Sequence, residues 1–450
     1  MGETRLFGTD GIRGQAGVAP LEPATIRRIG AALTDAVRTG EAPVRILIGR
    51  DTRESGEWIE RELAHGARLA GAEVVSAGVL PTPAVAVMTR SGDYTLGVVI
   101  SASHNPYGDN GIKVFSGAGE KFTAARERQV EALVADASRA TPPGDAASVA
   151  PVDHRGAYLA SLYRIVPESG AAGLRIAVDC AHGATVSVAP ALFAALGADV
   201  QLIGCAPDGR NINAGVGSTA PQALAAAVVA GGYELGVAFD GDGDRAIFVD
   251  AAGRVVDGDA IMLLCAKQLQ REGRLAHQTI VATVMSNIGL ELALKDAGIA
   301  LVRCAVGDKH VMEELLARGL SLGGEQSGHV IFTDHLATGD GMATALQVIR
   351  TMRATGRSLA DLAGELTAYP QVLLNVRMGE RIDLASVPQI ADALALVEQR
   401  LAGQGRLLVR YSGTEPLLRI MLEGRDTTEI TAWAQEIADA VTRYGMPARA

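Results

Sequence analysis

The chain has 450 residues, 48% of them hydrophobic, enough at about 150 residues per domain for about three packed domains, and general disorder is excluded. Its 41 basic and 51 acidic residues give a net charge of −10, and no Lys/Arg run resembles a nucleic-acid footprint. Nonspecific binding to DNA or RNA is thereby excluded, whereas a small anion held by a few focused arginines is not.

Met1 to Arg5 lead directly into a Gly/Asp-rich stretch without the apolar core of a signal peptide. No apolar run reaches the roughly 18 residues a membrane span needs. The expectation is a soluble, cytoplasmic chain with no membrane partner. Cys180, Cys205, Cys265 and Cys304 are widely spaced and form no Cys-x-x-Cys pair, which predicts free thiols in a reducing compartment rather than disulfides or a zinc site. The 53 glycines are spread along the chain and outnumber the 17 prolines, a pattern that suits tight strand–helix loops.

Short apolar or β-branched runs at 44–48, 97–100, 174–178, 235–239, 246–249 and 279–284 predict strands. Alanine-rich amphipathic stretches at 24–38, 58–70, 124–138, 221–230 and 259–270 predict helices between them. Such alternation predicts layered α/β domains with largely buried sheets. A linker rich in Pro, Ala and small polar residues covers 140–151, a turn follows at Ala251-Ala252-Gly253, and Tyr369-Pro370 precedes a new strand. The expected blocks are therefore 1–150, 151–252, 253–369 and a short last one, 370–450. The similar size of the first three suggests a repeated architecture, although no repeat is visible residue by residue.

In chain order, the first segment of interest is Phe7-Gly8-Thr9-Asp10-Gly11-Ile12-Arg13-Gly14. It is too glycine-rich for an ordinary strand, and Arg13 can enter a cleft; an ordinary loop is the equal alternative. Next, the apolar run 98–100 stops at Ser101-Ala102-Ser103-His104-Asn105-Pro106, a turn that presents hydroxyls at a strand's end, with Lys113 close behind. A polar loop capping the next helix competes with a nucleophile here. Lys113 is a candidate for proton transfer or charge stabilisation.

Asp240-Gly241-Asp242-Gly243-Asp244-Arg245 lies between two predicted strands. Carboxylates at alternate positions on a glycine-rich loop can converge on one hard divalent cation and would otherwise repel one another. An EF-hand would need Gly at 245 and Glu at 251, where the chain has Arg and Ala. A dinucleotide fingerprint would need a helix to follow, and its pyrophosphate would face carboxylates. Magnesium is favoured because it binds through a few carboxylates and completes its shell with phosphate oxygen, which Arg245 would help neutralise.

Val306-Gly307-Asp308-Lys309-His310 is a further strand-terminal loop, with an ordinary loop as the alternative. In Gly323-Gly324-Glu325-Gln326-Ser327-Gly328-His329, the polar groups suit hydrogen bonding to sugar hydroxyls, and His329 can exchange a proton near neutral pH; a glycine-rich surface turn competes. Finally, Arg410 and Arg419 flank Ser412-Gly413-Thr414, whose hydroxyls and N–H groups can encircle a phosphate. A helix start before Glu415-Pro416 is the compatible alternative. No P-loop and no Gly-x-Ser-x-Gly elbow occurs, which argues against an NTPase and an α/β-hydrolase.

In their order, 7–14, 101–106, 240–245, 324–329 and 410–419 resemble the motifs of the α-D-phosphohexomutase superfamily over nearly the whole chain. Asn211-Ile212-Asn213, Gly217-Ser218-Thr219 and the 306–309 loop look most like its branch that works on glucosamine phosphates. The resemblance implies three related α/β domains with mixed sheets and a smaller C-terminal α+β domain around a central cleft. It implies that Ser103, the serine directly before His, is phosphorylated in the active enzyme and joins Asp240, Asp242 and Asp244 around one Mg²⁺. Arg245, Lys113, Arg13 and His329 would assist transfer. Glu325 and Ser327 would read sugar hydroxyls, and Arg410, Ser412, Gly413, Thr414 and Arg419 would clamp phosphate. The implied reaction interconverts glucosamine 6-phosphate and glucosamine 1-phosphate through a bisphosphate, by a monomer or homodimer, for UDP-N-acetylglucosamine and cell-wall precursor synthesis. Alternatives are a phosphomannomutase or phosphoglucomutase of the same superfamily, a phosphatase, and a non-catalytic sugar-phosphate binding protein.

Overall fold

The computed structural model describes residues 5–8, 10–136, 138–139, 142, 144, 148–379, 381–412 and 416–445. The chain forms two compact units, one of Met1–Met285 with Ala297–Glu365 and one of Ser286–Asp296 with Leu366–Ala450.

In the first unit, one sheet topology occurs three times. The first sheet contains β1 (Ile12–Gln15), β2 (Val44–Arg50), β3 (Ala72–Val79), β4 (Leu96–Ile100) and β5 (Asp109–Ser116), in the order β1-β5-β4-β2-β3. The second contains β6 (Arg175–Asp179), β7 (Asp199–Ile203), β8 (Leu235–Phe239), β9 (Ala246–Asp250) and β10 (Val255–Val256), in the order β10-β9-β8-β6-β7. The third contains β11 (Thr279–Thr283), β12 (Ala300–Cys304), β13 (Leu322–Gly324) and β14 (Val330–Phe332), in the order β12-β11-β13-β14. Each time, the leading strand is flanked by two parallel partners, and the second of these turns back into an antiparallel neighbour. The sheets are therefore mixed, as expected, and the repetition lies in topology rather than in residues. Strands β4 and β8 are buried along their whole length, which is why they read as unbroken apolar runs instead of alternating ones.

Strand β1 corrects one expectation. Despite its glycine, Ile12–Gln15 pairs antiparallel with β5, Arg13 lying opposite Gly111. An edge strand needs a ladder on one side only, so glycine costs less there than in the sheet centre. The helix expected over 124–138 is shorter, Ala124–Ala135.

The helices Pro23–Val37 and Gly56–Leu69 pack on the first sheet through Ile26, Ile29 and Leu33, and Ile59, Leu63 and Ala67, all fully buried. They touch backbone to backbone. A Cβ on Gly66 would lie 1.9 Å from the Arg27 carbonyl oxygen, and one on Gly30 would lie 2.1 Å from that of Leu63.

The second unit differs. Its sheet is antiparallel throughout, β15 (Gln371–Arg377), β16 (Arg406–Tyr411) and β17 (Leu417–Glu423) in the order β15-β17-β16. Helices Pro388–Leu401 and Thr427–Tyr444 cover it, with Ile390, Val397, Ile430 and Ile437 in the core. This is the smaller α+β block that was expected. Among the described residues, no helix is long and apolar enough to cross a membrane.

The Gly66 contact gives a direct test of the helix pair. Gly66→Ala forces the helices apart and should destabilise the protein by about 1–3 kcal/mol, measured as a lower denaturant midpoint with unchanged slope.

Candidate active site

Each repeat carries its chemistry at the same place, the hairpin between its third strand and the antiparallel return. Ser103 follows β4, the aspartate loop follows β8, and Glu325–His329 follow β13. These are carboxyl ends of strands next to the point where strand order reverses, where open α/β sheets place their ligand crevices. The serine loop leads into strand β5, so it caps no helix.

Ser103 is fully buried and has a left-handed backbone, φ 53°, a conformation that non-glycine residues hold only when their surroundings impose it. Those surroundings are polar and fixed. The Ser103 N–H donates to Ser101 Oγ (2.9 Å), and Ser101 Oγ donates to Asp51 Oδ2 (2.6 Å). The Ser103 carbonyl accepts from Arg53 Nη2 (3.0 Å) and from Asn213 Nδ2 (2.9 Å). Arg53 also donates to the carbonyls of Asn105 (2.8 Å), Asp109 (3.0 Å) and Pro106, and its Nε pairs with Asp51 (2.9 Å). This arginine is 1% exposed, so one buried guanidinium holds the whole turn. Burial, opposed by Arg53, keeps the Asp51 carboxyl above its usual range.

Ser103 Oγ donates to Asp240 Oδ2 (2.5 Å), which brings the first and second repeats together. The aspartate loop fits closely against the serine: a Cβ on Gly241 would lie 2.5 Å from the Ser103 carbonyl oxygen. Asp240, Asp242 and Asp244 are buried, with one oxygen from each within 4.8 Å of the others. Lys113 Nζ, on β5, donates to Asp242 Oδ2 (2.8 Å) and Asp244 Oδ2 (2.9 Å) and pairs with Asp10 Oδ2 (3.0 Å). Thr82 Oγ1 donates to Asp242 Oδ2 (2.5 Å). Asp242 Oδ1 and Asp244 Oδ1 remain buried without a hydrogen-bond partner. Burial opposes the charge on Lys113, but Asp10, Asp242 and Asp244 outweigh it and hold the ammonium well above its ordinary value. Asp240 is driven the other way: burial, then Asp244 and Asp242, raise its carboxyl well above the usual range.

His329 is 2% exposed. Its Nδ1 lies 3.6 Å from Asp244 Oδ1 and its Nε2 lies 3.4 Å from Asp308 Oδ2. The Gly339 N–H donates to Nε2 (3.0 Å), which places the proton of the neutral ring on Nδ1. Burial disfavours the imidazolium, yet Asp244 and Asp308 prevail and raise its pKa. Lys121 bridges Asp308 and Asp10 (2.5 Å to Asp10). A cavity of about 570 Å³ opens beside these groups, and Arg13, His104, Arg245, Glu325 and His329 are among its lining residues. Glu325 Oε1 accepts from the Gly307 N–H (3.1 Å), and Arg13 pairs with Asp10 (2.5 Å). Ser327 does not line this cavity; its Oγ is buried without a hydrogen-bond partner.

The remaining expected residues belong to the second unit. Arg410 and Arg419 are direct cross-strand partners on β16 and β17, a placement of like charges that is unfavourable unless an anion or another partner compensates. Ser412 N–H donates to the Leu417 carbonyl (2.8 Å). Gly413 and Thr414 lie outside the described residues; the next element described is strand β17, which starts at Leu417.

Sequence reasoning missed Arg53, Asp51, Thr82 and Lys121 as site residues, and it named Asp10 and Asp308 only within motifs. The signal for the first two was present: Arg50-Asp51-Thr52-Arg53 is a charged run directly after an apolar strand. Lys121 carried no local signal.

Four family descriptions match the chain in order: phosphoglucomutase/phosphomannomutase alpha/beta/alpha domain I over residues 4–141, domain II over 156–253, domain III over 257–369, and the C-terminal domain over 373–440. The chain is 49% identical over 446 residues to the phosphoglucosamine mutase of Syntrophotalea carbinolica, with 98% of both chains covered. It is 47% identical over 451 residues to that of Geotalea daltonii, again with 98% of both covered. Among solved structures, a phosphoglucomutase/phosphomannomutase family protein from Burkholderia thailandensis has the same fold, with a TM-score of 0.80 at 23% identity, covering 98% of this chain and 97% of that one. So does Aspergillus fumigatus N-acetylphosphoglucosamine mutase, solved with GlcNAc-6P and magnesium, with a TM-score of 0.64 at 18% identity, covering 97% of this chain and 95% of that one.

The geometry leads to two expected outcomes. Arg53→Met strands the Asp51 carboxylate and should cost about 3–5 kcal/mol in denaturant unfolding, and Asp51→Asn in the same chain should recover part of it. The second concerns His104, whose pKa burial lowers to about 4, helped by Arg245 and Arg13. The unfolded imidazole titrates near 6.5, so between these values the unfolded state binds more protons and stability rises with pH. In unfolding midpoints taken from pH 4 to 6.5, His104→Asn should flatten that rise.

Proposed function

Because the chain belongs to the phosphoglucomutase/phosphomannomutase family and matches phosphoglucosamine mutases over 98% of its length, we propose that it interconverts glucosamine 6-phosphate and glucosamine 1-phosphate, with Ser103 carrying the phosphoryl group. The observation that carries the choice of serine is the 2.5 Å bond from Ser103 Oγ to Asp240, while Ser101 Oγ is occupied by Asp51 and the Ser103 N–H. Ser101 has no freedom to react.

In this reading, phosphorylated Ser103 gives its phosphate to O1 of glucosamine 6-phosphate. The Oγ–P bond breaks, a P–O1 bond forms, and the proton that O1 loses is balanced by the one that Ser103 Oγ gains, with His329 near the transfer. The bisphosphate reorients, its 6-phosphate passes back to Ser103, and glucosamine 1-phosphate leaves. Positioning and charge neutralisation dominate phosphoryl transfer, and each group fits one of those tasks. Lys113 is held as a fixed cation by three carboxylates, so it serves charge stabilisation rather than proton transfer. Arg245 and Arg13, both lining the cavity, face the transferring phosphate. Glu325, which lines the cavity, reads sugar hydroxyls, and Ser327 joins it only if its buried hydroxyl is uncovered when the sugar binds. The phosphate that is not being transferred is held by Arg410, Ser412, Gly413, Thr414 and Arg419, a role supported by the cross-strand arginine pair.

The residues present fit a divalent metal. Lys113 occupies the Oδ2 atoms of Asp242 and Asp244 and leaves Asp242 Oδ1 buried without a hydrogen-bond partner among the described residues, while Asp244 Oδ1 is met only by His329 at 3.6 Å and Arg245 at 3.9 Å, an arrangement that a divalent cation would complete. Asp240, Asp242 and Asp244, with the Ser103 phosphate, would hold Mg²⁺. When bound, the ion supplies positive charge to the phosphate oxygens during transfer. Work in the cytoplasm, as a monomer or homodimer, belongs to the same proposal.

The test is direct assay. With Mg²⁺ and a trace of hexose bisphosphate, the purified protein should interconvert the two glucosamine phosphates faster than those of glucose or mannose; equal or faster turnover of either would overturn the substrate assignment. Ser103→Ala should lower kcat at least about 1,000-fold, while Ser101→Ala should stay within about tenfold of the parent, and the reverse ranking would move the nucleophile.

A further inference from the structure

A second cavity, of about 420 Å³, opens in the first unit where the end of helix Thr82–Ser91 meets the segment after helix Arg155–Leu162 and the helices Gly258–Arg271 and Gly341–Thr355. Four guanidinium groups line it, those of Arg90, Arg164, Arg274 and Arg350, against one carboxylate, Asp334. In a chain whose net charge is −10, this is a local reversal of sign. Focused cations on the wall of a cavity attract small anions.

Two of the arginines are already neutralised. Arg274 pairs with Glu272 (3.2 Å) and Asp334 (3.0 Å), and Arg350 pairs with Glu272 (2.5 Å). Arg90 and Arg164 have no hydrogen bond or ion pair to any described residue. A separate observation points the same way. Gln347 lines the cavity, is only 8% exposed, and its side-chain amide has no hydrogen-bond partner among the described residues. An amide brings two donors and one acceptor, and with Gln347 lining the cavity and neither amide atom sealed from solvent, that capacity is open to a ligand.

We propose that this cavity is a second anion site, taking a small molecule that carries a phosphate or diphosphate group. Arg90 and Arg164 are its charge partners, and Gln347 is its buried hydrogen-bonding group. Guanidinium forks match phosphate oxygens two at a time, which suits the two unpaired arginines to such a group. The site also stands close to the metal loop. The helix that carries Arg90 in its last turn begins at Thr82, whose N–H donates to the Asp242 carbonyl (2.9 Å). The helix of Gln347 begins at Gly341, whose N–H donates to the Gly243 carbonyl (3.0 Å). At 1.5 Å per residue, each path is about 9–12 Å long.

The experiment is hydrogen–deuterium exchange on the full-length protein in EDTA, with and without inorganic pyrophosphate. Pyrophosphate should slow exchange in peptides covering 158–166 and 341–352. In the double variant Arg90→Ala/Arg164→Ala, the half-saturating concentration should rise at least about tenfold, the equivalent of about 1.4 kcal/mol, and Gln347→Leu should raise it by a smaller factor. Basal mutase turnover should be unchanged in both, because neither touches the serine site. No protection of these peptides up to about 5 mM pyrophosphate, or equal half-saturation in the double variant, would overturn the proposal. Protection confined to 98–113 and 240–250 would assign the ligand to the serine site and overturn it as well.

Discussion

The candidate site depends on a single buried ammonium. Lys113 is 2% exposed and sits among Asp10, Asp242 and Asp244 at 2.8–3.0 Å. Without it, the aspartate loop would carry buried negative charges at close range, which no packing could offset. With it, the first and second repeats are tied through charge, the lysine taking the Oδ2 atoms of Asp242 and Asp244. A second lysine, Lys121, extends the arrangement to Asp308 and so to His329 on the third repeat. Alternating charge therefore joins all three repeats.

The sequence was most legible where chemistry is concentrated in a few adjacent residues. Three aspartates at alternate positions on a glycine-rich loop stand out as candidate cation ligands, and Ser103 with Lys113 shows at the end of an apolar run. Strand β8 was placed residue for residue because burial on both faces leaves an unbroken apolar signature. Arg53 showed only as part of a charged run after an apolar strand, and its role was hidden because its partners are carbonyls some fifty residues away that only the folded turn brings within reach. The roles of Asp308 and Lys121 escaped for the same reason: each matters through a contact more than a hundred residues distant. Strand β1 was misjudged because glycine content was read without knowing that the strand is an edge. The motifs yielded the candidate reacting groups, and the residues that hold them in place became visible only with the fold.

The topological repeat accounts for how three different chemistries share one place. In each sheet the third strand is buried, its carboxyl end lies beside the reversal of strand order, and the hairpin that leaves it is free to vary. One hairpin presents a hydroxyl, one presents carboxylates, and one presents polar hydrogen-bonding groups. The residue-level repeat has been erased because only the buried strands have to keep a common character, and many apolar residues satisfy that requirement equally.

The hairpin position has a consequence for how such a chain can change. Between the paired strands, the connections span 101–108, 240–245 and 325–329 in the three sheets, so their lengths differ while the strand order does not. An antiparallel return sets its register by side-chain pairing along the two strands, whereas a parallel crossover must carry a whole helix across the sheet. Residues can therefore be added to or removed from these three turns without re-threading any sheet. A shift in what the enzyme accepts can arise one turn at a time, with the other two left intact.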